Sequence, residues 1–589
     1  MPLYYFFNYH FLLVFGHSIF ILNEDHLLMV AYESGDPGNI AHAIMSLFND
    51  PIYNHHNYVI LSDYGWVLGD ISFIVVFLFK IVGQLMGFYD QPIFGTVDDQ
   101  AIFNGAIRMV NFTFAMASIL LFFRLSHLLF ENKKVSFIAS LFFMFIPWAA
   151  IYSYWLHPDA SGMVFMMIAL LSVVKFVKQE QKLIYFFIAL ASLELATLSK
   201  PPYFFLSIPV LLIFLFNYCH KTHLKYLTFL ISPQFFKISI ASLQIAIFIL
   251  FIVHPYSIIE FSQAYNIQRL LFGIYQNISI TQSFYNWFYI YKNEPLIYIN
   301  VFLLYLLIIP LFFKQKFSIS FLFVTSVLFC NIFLLITIWG MRYNMTARYM
   351  YPIAPLLILN IVAFIIFVWN KLNFLLIQKK HYLKIILTGL GILYLLPIFT
   401  ENILATINSL LARAAYKHTT FYQTRKFLLN NPNTFSQHKM LFDMGMAIIP
   451  PKMTWVVPHA SVTWVPSKVI NQERYYKYIN PNAQVIWVPW ESQSQSLKFI
   501  KDNNINPLFL ILNKGRYNAY RHYIAKNHFR MIKTITASNK ELASLSYWFP
   551  RYGNTQLKNF NFTLKLIELH RNPNLIIGPT MMFYRNGRN

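Results

Sequence analysis

Glu33 and Asp36 stand close together in VAYESGDPGNIAHAI, and Asp159 stands in HPDASG, directly after His157 and Pro158. A carboxylate held within hydrogen-bond reach can take the proton of a weakly nucleophilic hydroxyl. Cations lie elsewhere: Arg108, Lys200 in LSKPPYF, and Arg342 and Arg348 in MRYNMTARYMYP. Such groups can hold a phosphate and stabilise the charge it gains when a bond to it breaks. Each residue also has a plainer reading. Asp36 before Pro37 is a helix N-cap, as Asp159 could be; Lys200 suits a snorkelling span anchor; Arg342 and Arg348 suit interface anchors. His42 reads as a neutral helix-surface histidine and His157 as a partner for Asp159. Together, acids for an acceptor and cations for a lipid phosphate form a set that chemistry needs and capping does not.

The elements that must position these residues are membrane spans. The 589 residues are 57% hydrophobic and 12% charged, with 61 Phe, and the mean hydropathy is +0.49, a composition of polytopic membrane proteins. Cys219 and Cys330 are far apart in or beside apolar runs, so neither a disulfide framework nor a Cys-based metal site is indicated. The first 22 residues lack a basic start and a small-residue cleavage site and read as a retained span. Apolar segments of spanning length fall at 1–22, 107–124, 135–152, 160–175, 183–198, 203–218, 239–255, 296–313, 318–339, 350–370 and 384–400, about eleven in all. Residues 66–88 carry Asp70 and Lys80 and are expected to lie at the interface or re-enter, because a full crossing would put the Lys-rich loops outside.

With that parity the acidic first loop, HPDASG, LSKPPYF, HPYS, MRYNMTARYMYP and everything after the last span share the non-cytoplasmic side. Ten of the sixteen acids before residue 401 lie between Glu24 and Asp99, where Lys80 is the only Lys or Arg. The helix begun at Asp36 carries Ile40, Ile44, Leu47 and Phe48 on one face and is expected to lie along the membrane.

From residue 401 the apolar runs shorten to strand length in KMLFDMG, AQVIWVPW, PLFLILN and TLKLIELH, alternating with helical SQSLKFIKDNN and YNAYRHYIAKNH. The expected fold is therefore a polytopic α-helical membrane domain, 1–400, whose first outer loop is 23–106, followed by an extracytoplasmic basic α/β domain, 401–589. That tail holds 24 Lys and Arg against 7 Asp and Glu, a net +17 of the chain's +23. Without a nucleic-acid-binding signature, a basic domain tethered to a bilayer points to membrane lipids and not to nucleic acid. It offers no glycine-rich phosphate loop and is expected to bind or pack.

The arrangement resembles the GT-C superfamily of integral membrane glycosyltransferases, in its branch of protein O-mannosyltransferases and lipid A aminoarabinose transferases. The residues that carry the resemblance are Asp36 with the helix behind it, YGWVLGDISFIVVFLFKIVG from Tyr64, AIRMVNFTFAMASILLFF from Ala106, HPDASG, ATLSKPPYFFLSIP from Ala196 and ARYMYPIAPLL from Ala347. One departure is that the usual Asp-Glu pair of the first loop is here GDP, with Glu33 preceding the aspartate. That leaves the base open between Asp36 and Glu33, and leaves a divalent metal open with no ligand set assigned. The resemblance implies transfer of a sugar from a polyprenyl-phosphate donor to a hydroxyl of a glycan, lipid or protein acceptor, with inversion, on the outer face of a membrane, expected to be a bacterial inner membrane. Asp36 is then the candidate base and Asp159 the alternate or orienting acid. Glu33, Arg108, His157, Lys200, Arg342 and Arg348 are the candidates for substrate binding. The competing readings are a multi-span transporter, which would show internal repeats and midplane charges, a lipid-linked glycan polymerase or ligase, and a glycolipid-binding scaffold.

Overall fold

The structure is a computed structural model that describes residues 66–85, 97–146, 157–178, 182–222, 226–255, 281, 351–376, 400–401, 403–405, 407–408, 411, 418–435, 438–443, 455–456, 485–488, 493–502, 504–538, 560–572 and 574–587. Among these, the membrane part consists of α1 (Trp66–Leu85), α2 (Val97–Phe130), α3 (Lys133–Met144), α4 (Asp159–Lys178) and α5 (Leu183–Ser199). A 3₁₀ turn, Pro201–Leu206, then runs into α6 (Ser207–Thr222), followed by α7 (Tyr226–Leu230), α8 (Pro233–Val253) and α9 (Ala354–Leu376).

Among the described residues, four stretches are long and apolar enough to cross a membrane: Met109–Phe130, Asp159–Lys178, Pro201–Cys219 and Pro233–Val253. Trp66–Leu78, Leu183–Ser199 and Tyr351–Ile366 are shorter apolar helices. The protein is an integral membrane protein. The expected spans at 1–22, 296–313, 318–339 and 384–400, and the helix begun at Asp36, lie outside the described residues. The span expected at 107–124 belongs to a 34-residue helix that continues in both directions, while α3 stops after 12 residues with Phe145 as its C-cap.

α4 forms the centre. Met163, Met166, Met167, Ala169, Leu170 and Val173 are buried among residues of α2, α3, α5, the 3₁₀ turn and α9, so this helix is apolar all round. α8 instead turns Phe236, Leu243, Phe248 and Ile252 outward, as a lipid-facing helix should. α1 is packed into the bundle: Trp66, Val67, Leu68 and Val76 are buried with Val110 of α2, Leu198 of α5 and Val253 of α8. That cluster brings the start of α1 and the carboxyl ends of α5 and α8 to one end of the bundle.

Among the described residues, the later part of the chain forms a six-stranded sheet. Its strands are β1 (Met440–Asp443), β2 (Trp455–Val456), β3 (Val485–Val488), β4 (Phe509–Asn513), β5 (Phe529–Ile535) and β6 (Met581–Asn586), in the order β2-β3-β1-β4-β6-β5. The first four are parallel and β6 pairs antiparallel with both β4 and β5. Helices α10 (Thr420–Leu429) and α13 (Phe560–Arg571) cover one face, through Phe421, Leu428, Leu566 and Leu569 on Phe442, Ile511 and Phe583. Helices α11 (Gln493–Asp502) and α12 (Tyr517–Lys526) cover the other, through Ile500, Tyr520 and Ile524 on Leu441, Leu510 and Tyr584. Cover on both faces is why MLFD and FLILN are nearly continuous apolar runs and not alternating ones.

One sequence expectation fails here. TLKLIELH is not a strand but part of α13, because Thr563, Leu566 and Leu569 recur at helical spacing and are the residues buried. The strands FRMIKTI and MMFYRN were not anticipated: β5 has a single buried residue, Phe529, and so little strand patterning to read.

Candidate active site

The site is built where helices are stopped by proline. Lys200 precedes Pro201, and a residue before proline is driven out of the helical region. Lys200 accordingly has φ −158° and ψ 124° and caps α5, its N–H donating to Ala196 O at 2.9 Å. Pro158 plays the same part at the start of α4. Gly162 N donates to Pro158 O at 2.9 Å and Ala160 N to His157 O at 3.3 Å, which closes the first turn and puts Asp159 at its beginning.

These two breaks face each other. Asp159 Oδ2 accepts from Lys200 Nζ and lies 2.7 Å from His157 Nδ1. The side chains of His157 and Asp159 are 0% exposed and that of Lys200 3%, so Lys200 does not snorkel to water as an anchoring lysine would. Nor is Asp159 a capping carboxylate, since its paired oxygen is turned to the two bases. Asp159 Oδ1 is buried and has no hydrogen-bond partner among the described residues.

A surrounding set of contacts fixes this cluster. Asn111 of α2 accepts from His157 N through Oδ1 at 3.4 Å, and Ser161 Oγ lies 3.2 Å from Ser199 Oγ across α4 and α5. Tyr203, fully buried, donates its hydroxyl to Asp159 O at 3.1 Å. The Tyr203 ring can come this close because residue 162 is glycine: a Cβ there would lie 2.5 Å from Tyr203 Cε2. His254, the C-cap of α8, stacks on Trp66 with ring centroids 3.7 Å apart. Asp159 sits at a helix N-terminus, and Lys200 and His254 sit at helix C-termini, so each charge or potential charge occupies the end of a helix dipole that favours it.

Of the residues anticipated from sequence, the fold brings His157, Asp159 and Lys200 together. Arg108 lies on α2 three residues before Asn111, within one helical turn of the residue that holds His157. Glu33, Asp36, Arg342 and Arg348 lie outside the described residues. Asn111, Gly162, Tyr203 and Trp66 lie within the quoted motifs and His254 within HPYS, but none was given a role of its own. A usable signal existed for His254, because His254-Pro255 repeats the His157-Pro158 dipeptide at another helix end.

Among the described residues no three His, Cys, Asp or Glu side chains gather as a metal site. Beside Asp159 Oδ2 stands the Lys200 ammonium.

Residues 93–259 match the profile of the family described as dolichyl-phosphate-mannose-protein mannosyltransferase. The matched segment contains Arg108, His157, Asp159, Lys200 and His254. Over that segment the chain is similar to this mannosyltransferase family. Solved structures similar to this chain include ArnT from Cupriavidus metallidurans in the apo state, at 12% identity and a TM-score of 0.45, covering 90% of this chain and 95% of that one. The same ArnT bound to undecaprenyl phosphate gives 11% identity and a TM-score of 0.37 over 90% and 95% of the two chains. The Archaeoglobus fulgidus oligosaccharyltransferase in complex with Zn and sulfate gives 12% and 0.36 over 89% and 80%. At these TM-scores the overlays carry no residue-level correspondence. No curated protein matches this sequence.

Proposed function

We propose that this protein moves a sugar from a polyprenyl-phosphate carrier to an acceptor hydroxyl on the outer face of a bacterial inner membrane, with inversion. The observation that supports the reading most is the buried His157–Asp159–Lys200 cluster at one end of the bundle, inside the family-matched segment. A lysine kept in place by a carboxylate at a membrane-helix end costs stability unless it serves a purpose, and a lipid phosphate is the anion that such an end can meet. In this reading Lys200, with Arg108, Arg342 and Arg348, faces the departing phosphate. The negative charge there grows as the glycosidic bond breaks, so these cations bind the transition state more tightly than the ground state. Asp159 and His157 hold Lys200 at a fixed position, and Asp159 acts as an orienting acid. Asp36, supported by Glu33, takes the proton of the attacking hydroxyl, a contribution of about 10²- to 10⁴-fold.

The test uses the purified protein in detergent with a panel of polyprenyl-phosphate sugars. Wild type is expected to transfer the sugar, and Asp36→Asn and Lys200→Met to lose at least about a hundredfold in turnover. Absence of transfer from every such donor by correctly folded wild type overturns the function. Turnover that ignores Asp36→Asn but falls with Glu33→Gln moves the base to Glu33. Mass spectrometry of co-purified lipid identifies the carrier, and reagent protection of a cysteine placed in the QKKH loop of intact cells checks the sidedness.

A further inference from the structure

Between Asp502 and Glu541 the chain carries seven Lys and Arg, two His and no acid. This run folds into the end of β4, α12 and β5. Among the described residues, β5 is the last strand of the sheet and pairs on one side only, with β6. An open edge in water is a hazard that proteins usually blunt with charge, a bulge or a cover. Here Arg530 through Thr534 are all exposed, and the pairing shifts between Met531 and Lys533, so that Ile532 is the bulged residue.

Charge and a bulge would be enough to protect the edge. They do not account for two large apolar side chains standing side by side in it, Met531 at 56% and Ile532 at 48% exposed. Arg530 precedes this pair, and Lys533 follows it with its ammonium over the Phe427 ring at 4.1 Å. α12, which packs against β5, exposes Arg521, His522 and Lys526 on its outer side. An exposed apolar pair framed by cations, in a stretch of sequence without acids, complements the boundary between anionic headgroups and acyl chains.

We infer that β5 and α12 form a docking surface for the anionic face of the bilayer, with Met531 and Ile532 entering the headgroup boundary and Arg521, Lys526 and Arg530 meeting lipid phosphates. The bilayer is the occupant because this chain is already anchored in one. Docking is therefore intramolecular, and a weak surface suffices at the resulting effective concentration. The surface does not depend on the transferase reading.

The experiment uses the full-length protein in nanodiscs of phosphatidylcholine alone or with about a third phosphatidylglycerol, followed by hydrogen–deuterium exchange. Amides of Phe529–Ile535 are expected to exchange at least about fivefold more slowly in the anionic discs, roughly the factor that one Lys or Arg contributes beside such a leaflet. The difference should disappear in about 0.5 M salt and in the double variant Lys526→Glu/Arg530→Glu. Unchanged protection of β4 in that variant shows that the sheet is still folded; if β4 is lost, Met531→Asp replaces it. Equal exchange in the two lipids overturns the proposal. So does protection that follows the number of protein copies per disc, which would assign the edge to a second copy of the chain.

Discussion

Replacing Lys200 by Met tests the central contact of the site. Lys200 and Asp159 are both removed from solvent, at 3% and 0% side-chain exposure. At a contact distance of about 3 Å and an effective dielectric of about 20, their attraction is roughly 5 kcal/mol before desolvation is counted. Much of that is cancelled by the cost of burying both charges. Removing one partner strands the other, and such truncations cost about 3–5 kcal/mol. The lower end applies here, because His157 stays 2.7 Å from Asp159 Oδ2 and still shares its charge. Lys200→Met should therefore lower the unfolding free energy by about 3 kcal/mol. The double variant Asp159→Asn/Lys200→Met should lose less than the sum of the two single variants, by at least about 1 kcal/mol, since neither leaves an unpaired charge in it. The assay is denaturant unfolding in mild detergent, with wild type, both single variants and the double closing the cycle. A cost below about 1 kcal/mol for Lys200→Met, the value of an exposed ion pair, or strict additivity in the cycle would refute the buried pair.

Gly162→Ala brings a methyl group against the Tyr203 ring and should cost about 1–3 kcal/mol, read from the same unfolding curves, with part recovered when Tyr203→Leu is added. Tyr203→Phe, which removes one hydrogen bond to Asp159 O, should cost about 1 kcal/mol. Asn132 caps α3 by accepting from Lys134 N at 3.0 Å and Val135 N at 3.2 Å, so Asn132→Ala should lower stability by about 1 kcal/mol. Burial pushes the hydroxyls of Tyr523 and Tyr584 up to about 12, with Tyr517 adding to the shift at Tyr584. A raised value favours the neutral form in the folded state, so its contribution is complete below the unfolded value of about 10 and is lost as pH rises toward 12. Alkaline titration followed by phenolate absorbance should show this pair ionising late, and Tyr523→Phe should flatten the decline.

The sequence exposed the members of the His157–Asp159–Lys200 cluster wherever proline interrupts an apolar run. HPDASG and LSKPPYF were readable because Pro158 and Pro201 fix where α4 begins and α5 ends, and because an acid and a lysine at such boundaries are few. What could not be read was which neighbour each would face. Lys200 looks the same whether it reaches for water or for a carboxylate 41 residues earlier, and only the packing of α4 on α5 decides. Tyr203 and Asn111 are ordinary residues in membrane helices, and their contacts to Asp159 and His157 span 44 and 46 residues. In the sheet, MLFD and FLILN could be assigned because burial on both faces makes them uniformly apolar. TLKLIELH misled because a short apolar run has no period long enough to separate strand from helix.

His157, Lys200 and His254 each stand immediately before a proline at a helix boundary. Their backbone directions are thus set by covalent geometry within two residues of sequence and do not wait for distant parts of the chain. This has a consequence for biosynthesis. From His254 the ribosome must still add 186 residues to reach the first strand at Met440, which takes roughly 10–40 s at ordinary elongation rates. Both helices that carry the acid and the cation are complete well before that, so a ribosome-stalled product ending after α9 should carry the pair before any strand has been made.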